Sequence, residues 1–158
     1  MCTHCQKVLK NIVNYGIFFD VILNQIEHCE LLSTATKISY TSIGKVFCPI
    51  LNKDVVFNAK GFHHLHYKPD GTPRKVAEKI HKLTLVPLAV PVIKNSIGIH
   101  EERNIIMPQN SKKNAKKVKA KQYALVATIG RKTPVEVRVI ILEVENSQNP
   151  IFWSIMKH

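Results

Sequence analysis

The segment GFHHLHYKPDGTPRK, residues 61–75, sets His63, His64 and His66 within four positions and passes directly into a basic stretch. Imidazole titrates near neutral pH and can both take and give a proton, so acid/base catalysis is the first chemistry to weigh. Metal ligation is the second. In an extended segment side chains alternate, which puts His64 and His66 on one face and turns His63 away with Leu65. A zinc ion on that pair lacks a third ligand within the segment, and Asp70 lies across a turn, so ligation is disfavoured. Hydrogen-bonded histidines without chemistry are the third alternative.

Other residues offer weaker chemistry. Cys2-x-x-Cys5 has half of a zinc-ribbon spacing, which His28-Cys29 or Cys48 could complete, but no second C-x-x-C matches it. No cysteine has a local setting that would depress its pKa, which argues against Cys-His nucleophilic catalysis. Lys112, Lys113, Lys116, Lys117, Lys119 and Lys121 form the densest charge run and read as an exposed loop. Lysines beside a groove attract phosphates without sequence preference. Glu136, between valines and near Arg138, is the one carboxylate to watch, although a cross-strand ion pair explains it equally well. Glycine-rich phosphate loops and paired carboxylates at a glycosidase-like spacing are absent from the sequence.

The elements that must position these residues follow from periodicity. Apolar residues of 6–32 recur at three- and four-residue spacing, which predicts an amphipathic helix that Gly16 kinks or divides. Residues 33–43, rich in Ser and Thr, read as a linker, with a boundary near residue 40 between a helical N-terminal segment (1–40) and the main unit (41–158). The Val and aromatic content of DVVFNAKGFHHLHY predicts extended structure. Lys68-Pro69-Asp70-Gly71 predicts a turn, with Thr72 capping a helix and Pro73 at its first position. That helix carries the stripe Val76, Ala77, Ile80, Leu83, Leu85, Val86 and Leu88, leaves Lys79 and Lys82 outside it, and kinks or restarts at Pro87 and Pro91. Three strands close the chain, at 123–129, 135–144 and 151–156, and pair as an antiparallel meander. Val135, Val137, Val139 and Ile141 share one face.

Composition bounds the function. The 158 residues, 45% hydrophobic and 22% charged, describe one globular domain large enough for its own core. A formal charge of +12, from 23 Lys and Arg against 11 Asp and Glu, points to a polyanionic partner. A membrane surface is the weaker alternative, for want of a long basic amphipathic helix. No signal peptide precedes the cysteines, so a cytoplasmic location is expected, or export without a cleavable signal.

Taken in order, GFHHL, a polar turn, Arg74 opening a helix, VRVII with Arg138 and a closing FWSI with Ser154 resemble the phage-type members of the barnase, EndoU, colicin and RelE-like (BECR) nuclease superfamily. The resemblance covers residues 46–158. It implies an α+β fold, a helical part followed by a mainly antiparallel four-stranded sheet. It also implies metal-independent and cofactor-free RNA cleavage, by attack of the ribose 2′-OH on the adjacent phosphate, in a protein of toxin or effector type. Under it His64 is the acid/base group, with His63 and His66 as fallbacks. Arg74 and Arg138 hold the phosphate, Ser154 donates a hydrogen bond, and Trp153 packs in the core. Glu136 and Tyr123 are further candidates. The implied partners are RNA, including tRNA or another structured RNA, and an acidic immunity protein or antitoxin. A non-catalytic RNA-binding or ribosome-associated module is the rival reading.

Overall fold

The computed structural model describes residues 3–108 and 116–158, with side chains from residue 22 onward. The chain is α+β. Helix α1 (Thr3–Ile43) leads into the hairpin β1 (Lys45–Cys48) and β2 (Lys53–Val56), then α2 (Ala59–His66) and α3 (Val76–Leu85). A 3-10 turn, Val86–Leu88, joins α3 to α4 (Ala89–Asn95), and strands β3 (Ile99–Pro108), β4 (Lys117–Ile129), β5 (Val135–Val144) and β6 (Ile151–Lys157) follow. The strands form one mixed six-stranded sheet in the order β1-β2-β6-β5-β4-β3. The antiparallel meander expected of the last three strands is present, extended by β3 on one side. The β1–β2 hairpin joins the other side through a parallel contact of β2 with β6, so six strands replace the expected four.

One sheet face is the core. Val137, Val139 and Ile141 of β5 are fully buried there with Leu125, Phe152 and Ile155, as their alternation predicts. Tyr40, Phe57 and Phe152 meet edge-on or stacked, at ring separations of 4.8–5.8 Å.

Four local expectations are corrected. The Ser/Thr-rich stretch 33–43 is the last part of α1 and not a linker. Its hydroxyls turn back onto the helix: Thr34 donates to the Glu30 carbonyl, Thr41 to Lys37 and Ser42 to Ser39, at 3.0, 2.8 and 2.7 Å. α1 stops at Gly44, whose φ of +63° suits the left-handed position after a helix. The stretch containing GFHHLH is helix α2 and not a strand. Asn58 caps it, its side-chain oxygen accepting from the Gly61 N–H at 3.1 Å. Gly61 is what lets α2 lie against β6, because a Cβ there would stand 2.1 Å from the Phe152 carbonyl oxygen and 2.5 Å from the Tyr40 hydroxyl.

The 68–71 turn is present, with Gly71 N–H donating to the Lys68 carbonyl at 3.0 Å and Gly71 at φ +83°. Thr72 does not cap a helix. Its N–H and hydroxyl both bond the Asp70 carboxylate, Pro73 bridges to Tyr67, and α3 begins later, at Val76. The restart expected at Pro87 and Pro91 appears as the 3-10 turn followed by α4. The region of the lysine run is not a loop throughout: Lys117, Lys119 and Lys121 lie on β4 and Lys116 just precedes it, while Lys112 and Lys113 fall outside the described residues. No described helix is long and apolar enough to cross a membrane.

Candidate active site

The sheet face opposite the core forms the floor of a cleft of about 810 Å³, walled by α2 and α3. His64, Arg74, Arg138 and Ser154, drawn from four separate elements or turns, all line it, together with Lys82, His81, Glu78, Arg103, Gln122 and Trp153. Gly61, His64 and Leu65 form the buried face of α2, so the close approach that Gly61 permits carries His64 to the cleft one turn later. Its ring stacks on Trp153 with centroids 4.3 Å apart. Trp153 is therefore a cleft residue and not the core residue expected.

A bulge explains how both Trp153 and Ser154 reach the cleft. Ser154 pairs with Ile140 and Phe152 with Ile141, which leaves Trp153 without a partner on β5. The extra residue lets Phe152 and Ile155 both enter the core while the two residues between them face the other way. Strict alternation would have put one of the two inside.

Lys82 is the residue that sequence reasoning missed. It is buried, and its ammonium donates to Ser154 Oγ at 2.8 Å and to the Ile155 carbonyl at 3.0 Å. Burial, then repulsion from Arg74, pulls its pKa down to about 8. A signal was available: Ala77, Glu78, His81 and Lys82 share one face of α3 at helical spacing, and all four line the cleft. A stripe drawn through the apolar residues alone leaves Lys82 outside it.

His64 is held neutral. Burial lowers its pKa to about 4, with Arg74, Lys82 and His63 adding repulsion. Arg74 donates from Nε to the His64 carbonyl at 3.3 Å and from its backbone N–H to His66 at 2.9 Å, closing the end of α2 with a cation. Its guanidinium also lies 3.6 Å from Glu78. Arg138 is ion-paired to Glu101, which pairs with Arg103 as well. The two arginines hold the Glu101 carboxyl below the usual carboxylate range. Arg138 Nε is buried and meets no acceptor among the described residues.

The remaining candidates lie elsewhere. His66 bonds Ser33 of α1 through Nε2 at 2.8 Å and the Phe62 carbonyl through Nδ1 at 3.2 Å, which ties α2 to α1. His63 is exposed and stacks on Tyr67. Tyr123 is on the core side, its hydroxyl donating to Glu143 at 2.8 Å, with its pKa pushed up to about 12 chiefly by burial. Glu136 lines a separate hollow with His100 and Thr128. Lys117, Lys119 and Lys121 alternate onto the face shared with Tyr123, opposite Gln122, and none lines the cleft. Cys29 and Cys48 are buried and unbridged, while the side chains of Cys2 and Cys5 lie outside the described residues. Among the described residues no three His, Cys, Asp or Glu side chains are grouped to hold a metal.

The cleft thus offers two imidazoles, an ammonium, a serine hydroxyl and three guanidinium groups against the Glu78 carboxylate, with Glu101 beside it on Arg103 and Arg138. Such a set can move a proton and stabilise an anion. No protein-family model, curated protein or solved structure matches the chain.

Proposed function

We propose that the protein is a metal-independent endoribonuclease of toxin or effector type, cleaving RNA by attack of a ribose 2′-OH on the adjacent phosphate. The observation that carries this reading is the convergence of His64, Arg74, Lys82, Arg138 and Ser154 on one cleft, although 90 positions separate the first from the last. Neutral His64 takes the 2′-OH proton as the O–P bond forms. Lys82 gives its proton to the departing 5′-oxygen, and the product is a 2′,3′-cyclic phosphate. Arg74, Arg138 and the Ser154 hydroxyl hold the charge that builds on the phosphate oxygens.

The roles fix a pH dependence. His64 must be unprotonated and Lys82 protonated, so the rate should hold between about 4 and about 8 and fall on either side. The test is incubation with RNA in EDTA, with analysis of the fragment ends. Cyclic-phosphate ends, lost in His64→Ala and Arg138→Ala proteins that stay folded, support the proposal. Unchanged cleavage in both variants overturns the assignment of the site.

Glu101 weighs against catalysis by these arginines and leaves a second reading, a basic RNA-binding or ribosome-associated module that holds RNA through the protein's other cations. Its carboxylate occupies the two arginines of the sheet floor, and a phosphate must displace it to reach them. RNA binding without any cleavage selects this reading.

A further inference from the structure

β3 is the outermost strand on its side of the sheet, and among the described residues it pairs only with β4. None of its ten residues is buried. Its first half is protected against further pairing by the usual devices, a register shift between Ile99 and Glu101 and the charges of Glu101, Glu102 and Arg103. The second half, Asn104-Ile105-Ile106-Met107-Pro108, carries no charge, and Ile106 is 70% exposed.

Register gives this edge two distinct faces. Asn104, Ile106 and Pro108 lie opposite Lys121, Lys119 and Lys117, all exposed, whereas Ile105 and Met107 lie opposite Ala120 and Val118 on the half-buried apolar side. Lys121 is paired with Glu102, but Lys117 and Lys119 make no ion pair among the described residues. The β4–β5 ladder ends at Ala120, with one further bond from the Glu145 N–H to the Lys119 carbonyl. Beyond it β3 and β4 continue as a two-stranded ribbon, an arrangement of marginal stability without a third strand.

We infer that the β3 edge from Asn104 to Pro108 is a docking edge for an extended polypeptide segment in which acidic and apolar residues alternate. The segment adds to the sheet as another strand through backbone hydrogen bonds. Its acidic side chains then fall on the face of Lys117 and Lys119, and its apolar ones continue the row of Ile105 and Met107. Such an occupant supplies a third strand to the ribbon and offsets the lysine charge together. The surface is separate from the cleft, so the inference stands whether or not the protein cleaves RNA.

The probe is an end-blocked peptide of about seven residues alternating Glu and Val, long enough to span the uncharged half of β3. Titration into the full chain is followed by backbone amide NMR. Shifts concentrated on 104–108 and 117–121, affinity that falls with added salt, and at least about tenfold weaker binding of the matching Lys–Val peptide are expected. A Lys117→Glu, Lys119→Glu double variant, altered only at exposed positions, should reverse that preference. Strand addition also predicts that N-methylating one alternate set of peptide amides abolishes binding while the complementary set leaves it within about threefold. Equal effects of the two sets, shifts centred on the cleft, or a protein that occupies the edge by self-pairing and ignores the peptide would overturn the inference.

Discussion

Replacing Lys82 by Met separates the cleft's chemistry from its stability. The two side chains have similar length, but Met carries no charge. Depression of the Lys82 pKa from 10.5 to about 8 means that the buried ammonium costs the folded state up to roughly 3 kcal/mol at pH 7, relative to a neutral amine in the same place. Met removes that cost. It also deprives Ser154 Oγ and the Ile155 carbonyl of a donor, at about 1 kcal/mol each. The difference leaves Lys82→Met between neutral and about 1 kcal/mol more stable at pH 7, while losing at least about a hundredfold in RNA cleavage. The linkage has a definite sign. Because the folded pKa lies below the unfolded one, wild-type stability rises from pH 8 to 10.5 as the unfolded chain holds more protons, and the variant lacks that rise. Urea unfolding across this range, with RNA cleavage at pH 7, measures both. Loss of more than about 2 kcal/mol at pH 7, or an unchanged pH slope, would refute the account of Lys82 as a strained functional cation and make it a structural anchor.

Three further outcomes are expected. Since the His64 pKa is lowered, folded protein should lose stability as pH falls from 6.5 to 4, by about 1–2 kcal/mol after allowance for water at the cleft edge, and His64→Phe should flatten that part of the urea-unfolding profile. Gly61→Ala should cost about 3 kcal/mol in urea unfolding, because the new methyl meets backbone oxygen at 2.1 Å and can relieve the contact only by moving α2 off β6; a loss below about 1 kcal/mol contradicts the packing described. Glu101→Gln should release Arg103 and Arg138, raising RNA affinity several-fold and steepening its salt dependence by about one phosphate contact; fluorescence titrations at graded salt test this, and an unchanged slope counts against phosphate binding by that pair.

The strands of the C-terminal meander are legible because they are apolar runs separated by short polar turns, and in β5 the apolar residues repeat every two positions. The same alternation identified which face of β5 is core. The cleft residues His64, Arg74, Arg138 and Ser154 stand out in the sequence through the order of motifs that carries the resemblance. Their meeting was not visible in any local pattern. α2 shows why local reasoning failed there: its aromatic content favours a strand, but the Asn58 cap and the contact of Gly61 with β6 favour a helix, and only the latter can be weighed once β6 is in place. The Ser/Thr-rich end of α1 failed in the same way, since its hydroxyls serve loop and helix equally until packing through Tyr40 selects one.

Net charge, element types near the C-terminus and the chemical vocabulary of the cleft belong to the linear order of residues, because each depends on composition or on neighbours a few positions apart. Burial, pairing and pKa do not. That Lys82 meets Ser154, that Glu101 reaches Arg138, and that Trp153 stacks on His64 are contacts between residues far apart in the chain. Their energies arise from desolvation and geometry that exist only after the sheet has closed on its helices, and it is these contacts that turn a set of basic residues into a candidate active site.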